Sequence, residues 1–190
     1  MSMPETDTRQ SLLDAIDSMA QSGAGEDEII QAAADGLRDA TDLDQIFVMV
    51  CDDDEAVLSM RYASLGAYER RQIGNSMKMD LHSVTVPLSQ HNMVAELFRY
   101  GMLAELEDMG EVAELARAIA PREHIAHMAA DAVRNQGIGY ACVMPIIAGE
   151  ELRGVLVASR YGRKPLPPED SALVQAIAAL MGPALNGSET

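Results

Sequence analysis

The sequence predicts an α+β fold built on an antiparallel sheet, and three observations carry that reading. Two pairs of apolar strands, at 46–64 and 140–160, are each joined by a short acidic turn. Helix-spaced apolar residues precede the first pair and follow the last. A helical middle separates the pairs, giving the order helix, helix, strand, strand, helical middle, strand, strand, helix.

Residues 1–10 are polar and read as a disordered tail. Leu12, Leu13, Ile16, Met19 and Ala20 then form one helical stripe, which Gly23 to Gly25 interrupt. A second stripe runs through Ile29, Ile30, Ala33, Leu37 and Ala40, with Glu26, Asp27 and Glu28 at the end where the helix dipole favours acids. IFVMVC (46–51) and AVLSMRYAS (56–64) flank Asp52, Asp53, Asp54 and Glu55, a hairpin tip suited to water. The middle reads as a helical turn at 67–72, a strand entering an irregular segment at 78–88, and short helices at 93–101, 111–119 and 122–135. YACVMPII, the connection AGEEL and RGVLVASR make the second hairpin. KPLPPED opens the last helix, whose Leu173, Val174, Ile177, Leu180 and Met181 repeat the first helix's spacing.

A chain of 190 residues, 48% hydrophobic, suits one domain with its own core; we place it at 11–186, with a second polar tail at 187–190. The net charge of −16 is uneven. Residues 1–60 hold fifteen acids against Arg9 and Arg38, and the remainder fifteen against twelve bases. No basic face is offered, so neither nucleic acid nor an anionic membrane surface is an expected partner. The uncharged stretch 171–188 is interrupted by Gln175, Gly182, Pro183 and Asn186, and its apolar residues are helically spaced, so it reads as an amphipathic helix and not a membrane span. The first residues lack the basic and apolar blocks of a secretory leader, and a cytoplasmic location is expected. Cys51 and Cys142 lie far apart in apolar strands, which fits buried, reduced thiols.

The span from Leu12 to Leu185 resembles a GAF-type sensory domain. The resemblance rests on Ile46 to Val50, Val143 to Ile147, Gly149 to Leu156 and Pro167 to Leu180. In that family the phrase corresponding to VMPIIAGEELRGVLVAS closes the sheet, and the helix begun by LPPEDSAL packs the terminal helices against its back. The resemblance implies a sheet order of 2-1-5-4-3. It also implies N- and C-terminal helices on one face and a helical roof, here 84–136, over a ligand pocket on the other. In that order the fifth strand separates Cys51 from Cys142. Two strand spacings amount to about 9.6 Å, beyond the Cα reach of a disulfide.

The pocket so implied draws on Met60, Tyr62, His82, Met93, Phe98 and Met102, and on His124, Met128, Tyr140 and Cys142. Methionine adapts to varied shapes, which suits a site that closes on a guest. A chain with no Trp and two Phe also fills its core with methionine, so core packing accounts for the same residues. All four histidines lie at 82, 91, 124 and 127. Some GAF-like sensors bind haem through one histidine, which makes a haem or metal redox or gas sensor the alternative reading. Glu123, His127 and Asp131 share one helix side, and Met77, Met79 and His82 form a soft set, but no second cluster completes either as a metal site. Arg153, Arg160, Arg163 and Lys164 gather around the last strand, as a solvated rim or an anion site.

Catalytic signatures such as Gly-x-Ser-x-Gly and phosphate loops are absent. A second alternative is the family's branch that reduces free methionine sulfoxide through cysteines. It needs a reactive pair, and the strand positions of Cys51 and Cys142 argue against one. The cyclic-nucleotide branch's Asn-Lys-x-Phe-x-Asp-Glu is missing, and no cysteine between Asp52 and Ala141 is there to hold a bilin. The resemblance implies a non-catalytic module that binds a small molecule and signals through its terminal helices. A homodimer through those helices and a signalling partner such as a histidine kinase, as in a two-component system, are expected with it.

Overall fold

In a computed structural model, the structure describes residues 5–51, 57–72, 80–88, 103–120, 123–162 and 164–185. Helix α1 (Glu5–Ser22) begins inside the stretch read as a tail, and α2 (Glu26–Ala40) follows. Gly23, at φ 73°, ends α1: the Ala24 N–H reaches back to the Met19 carbonyl at 3.1 Å, a closure that needs a left-handed residue between. Helix α2 opens with the Gly25 N–H donating to Glu28 Oε2 at 3.3 Å, and three acids occupy its first turn.

Strand β1 (Gln45–Cys51) pairs antiparallel with β2 (Val57–Leu65), and β2 with the short β3 (Thr85–Pro87). A short helix α3 (Ala67–Gln72) follows β2. Strand β4 (Ala104–Leu106) leads into α4 (Met109–Ile119) and α5 (Glu123–Gln136). Strands β5 (Tyr140–Ala148) and β6 (Glu151–Arg160) form a hairpin whose two-residue turn places Gly149 at φ 64°. Helix α6 (Pro168–Ala184) closes the chain, with Pro168 at its first position, where no N–H is needed. The tip at 52–56 and the expected helix at 93–101 lie outside the described residues.

The sheet has six strands in the order β3-β2-β1-β6-β5-β4. The four central strands stand as the sequence implied. The edges differ in detail: Thr85–Pro87 pairs with β2, and Ala104–Leu106 takes the edge beside β5. A three-residue strand paired on one side has too little alternation to show in a sequence.

One face of the sheet carries Ile46, Val48, Leu156 and Ala158 and is covered by α2 and α6, with α1 packed against both helices. Ile16, Ile30, Leu37 and Ile177 are fully buried there, each contributing roughly 2 to 3 kcal/mol of apolar burial. Side-chain locks tie the layer down. Asp35 on α2 accepts from Tyr62 at 2.9 Å and Ser64 at 2.5 Å, and Arg9 on α1 meets the buried Asp170 of α6 at 2.5 Å. The other face carries Phe47, Met49, Val155 and Val157 and is covered by α4 and α5.

Candidate functional site

Between the sheet and α4–α5 lies a pocket of about 450 Å³, partly open to solvent. Small side chains on the covering helices contribute to it. Helix α4 lines it with Val112, Leu115 and Ala116, and α5 with Met128, Ala129 and Ala132, so small residues stand among larger ones. Packed layers stand about 10 Å apart, and alanine does not bridge that gap as leucine would. The floor is Phe47 and Met49 of β1, Met60 of β2 and Val157 of β6; Leu81 and Val84 stand at one side. A volume of this size is in the range of small-molecule sites.

One end of the pocket is polar. Gln45 opens β1 and lies opposite Ser159 of β6 and Leu65 of β2, so it meets the chain leaving those strands. Its carbonyl accepts from Ser159 Oγ at 3.2 Å, and its amide approaches Gln136 Oε1 at the end of α5 at 3.5 Å. Glu69 of α3 accepts from the Tyr161 hydroxyl. Burial, and then that hydrogen bond, push the Tyr161 phenol above its ordinary range, so the proton stays on tyrosine. Gly66 makes room for this: a Cβ there would collide with the Glu69 carboxylate.

The residues expected in the pocket divide. Met60 is in the floor and Met128, half exposed, is on the rim. Tyr62 is turned to the terminal helices because β2 carries a bulge: Val48 pairs with Tyr62 and Met49 with Met60, so Arg61 is an extra residue and the face switches there. Tyr140 and Cys142 also face the helices, and the alternate residues Ala141 and Val143 face the other way. The Tyr140 hydroxyl donates to Glu105 at 2.6 Å. Burial, with the Glu105 charge adding, pushes the Cys142 thiol up to about 12, which does not favour a thiolate. His82 is exposed on a single 3₁₀ turn at 81–83, outside the pocket. His124 is on α5, its side chain outside the described residues, as are Met93, Phe98 and Met102 altogether.

Among the described residues no His, Cys, Asp or Glu group is placed to hold a metal, and no helix is long and apolar enough to cross a membrane. Arg153 pairs with Glu151, and Arg160 reaches Asp42 at 3.6 Å, so these two arginines of the last strand are answered by acids. Gln45, Glu69, Gln136 and Ser159 were not singled out by sequence. Gln45 alone left a trace, as the polar residue heading an apolar run.

The sequence model of the GAF domain matches residues 26–185. No curated protein matches the chain. Among solved structures, the GAF domain of an Acinetobacter phosphoenolpyruvate-protein phosphotransferase is similar at a TM-score of 0.69 and 14% identity, covering 98% of this chain and 95% of that one. Residues 122 to 287 of a methyl-accepting chemotaxis protein give 0.64 and 21%, covering 90% and 94%. A phycoerythrobilin-bound GAF domain from a cyanobacterial phytochrome gives 0.63 and 14%, covering 97% of each chain.

Proposed function

The chain belongs to the GAF domain family, a family of sensory small-molecule-binding modules, and on that premise we propose that it is a non-catalytic sensor whose pocket between the sheet and α4–α5 takes a small molecule. The pocket itself, about 450 Å³ with an apolar floor and one polar end, carries the reading. A structural neighbour that holds a bilin and another from a chemotaxis protein support a sensing role on this fold.

Transmission follows from how β5 is shared. Ala141 of β5 is in the pocket wall, while the same strand packs against α6 on its other side. Gly182 of α6 lies so close to the Ile147 carbonyl that a Cβ would overlap it, so strand and helix backbones touch without a side chain between. A shift of β5 on ligand entry would move α6 and, through the Arg9–Asp170 pair, α1. We place the output there, in a homodimer formed through the terminal helices in the cytoplasm, acting on a signalling partner such as a histidine kinase. Among the described residues neither His82 nor His127 lines the pocket; His91 and the His124 side chain, the other two histidines of the haem reading, lie outside them.

Mass spectrometry of small molecules released from natively purified protein tests this. A compound retained at close to one per chain in wild type and lost in Ala132→Trp, which fills the pocket, is expected. Equal retention by both proteins would contradict the assignment.

A further inference from the structure

The described wall of the pocket has one sign of charge. It includes Glu69 and Asp131, the latter exposed and paired with Arg134 at 3.3 Å, and among its described residues there is no arginine, lysine or histidine. Glu69, Gln45 and Ser159 are 8%, 7% and 6% exposed, so these three are more than nine-tenths buried, while Gln136 beside them is half-buried. Gln45 has its carbonyl occupied by Ser159 and its amide directed at Gln136. Glu69 is answered by a neutral phenol on one oxygen, and no ion pair among the described residues includes it. A carboxylate held in apolar surroundings by a neutral donor gains most from a cationic hydrogen-bond donor, because the interaction is little screened there.

We propose, resting on the reading of this pocket as a ligand site, that its occupant has an apolar body and a cationic, hydrogen-bond-donating end, an ammonium or amidinium seated on Glu69 beside Gln136 and Ser159. The apolar body lies along Phe47, Met49 and Met60, with Leu115 and Ala132 above it. An anion of the same shape brings its charge toward Glu69 with no described cation in the pocket wall to receive it, and is rejected. The site thereby sorts molecules of one shape by charge.

The test uses the whole chain and Prodan, a neutral naphthalene dye whose emission shifts in apolar surroundings. Tryptamine, tryptophol and indole-3-propionate, which share one ring and differ at the polar end, compete for it. Tryptamine is expected to displace the dye at least about tenfold more tightly than indole-3-propionate, with tryptophol between. In Glu69→Gln, folding being checked by thermal melting, that preference should shrink to within about threefold. Equal or stronger competition by the carboxylate in wild type overturns the inference with no variant needed, as does an undiminished preference in folded Glu69→Gln. Dye binding without an amine preference removes the charge inference and leaves the pocket reading standing. No dye binding to wild type removes both.

Discussion

The sheet presents two faces made from the same four central strands, and they are packed to opposite ends. Toward α1, α2 and α6 large aliphatics and fully buried alanines such as Ala33, Ala34 and Ala178 close the layer, with glycines at the tightest approaches: Gly36 beneath the Leu12 side chain, Gly182 against the Ile147 carbonyl. Toward α4 and α5 alanines stand among larger residues such as Leu115, Ile119 and Ile125, and a pocket remains. A closed face conveys displacement because nothing in it can yield, whereas an open face accepts a guest because something was left out.

The sharpest way to break this contrast is to add volume to each face. Gly182→Ala puts a methyl into the Ile147 carbonyl and is expected to cost about 2 to 3 kcal/mol in chemical denaturation. Ala132→Leu adds more atoms on the pocket side and is expected to change stability by less than about 0.5 kcal/mol or to raise it, since it fills space. Equal losses in the two variants would mean that the faces are packed alike.

Tyr62 sharpens the comparison at smaller scale. Tyr62→Phe removes the hydrogen bond to Asp35 and should cost about 1 kcal/mol, with dye binding unchanged because the side chain is on the closed face. A loss of binding in that variant would return Tyr62 to the pocket.

The smallest effect is electrostatic. Burial raises the Asp170 carboxyl above the ordinary aspartate range, and Arg9 offsets only part of this. The folded chain then holds that proton more tightly than the unfolded chain. Its contribution to stability is therefore fully present below about pH 4 and is lost as pH rises through the raised value. The stability difference between Asp170→Asn and wild type should move in favour of the variant from pH 4 to pH 7; movement toward wild type would show that Arg9 outweighs burial.

The helical stripes of α1, α2 and α6 and the strand pairs were legible in the sequence, because each long element repeats one apolar period. Which strand residues face the pocket was less so. The extra Arg61 switches the face of β2 midway, and period-2 reading cannot see a bulge. At Tyr140 and Cys142 every residue of the run is apolar or small, so the two parities look alike until the helices cover one of them. The polar end was hidden for another reason: Gln45, Glu69, Gln136 and Ser159 come from four segments far apart in the chain, and only the fold brings them together.

Amide hydrogen exchange on the whole chain, with and without saturating Prodan, tests most directly the claim that one face receives and the other conveys. The account predicts slowed exchange in α4, α5 and β5 together with a change in α6 and α1, on the far side of the sheet. Protection confined to α4 and α5, with α6 and α1 unaltered at full occupancy, would contradict it.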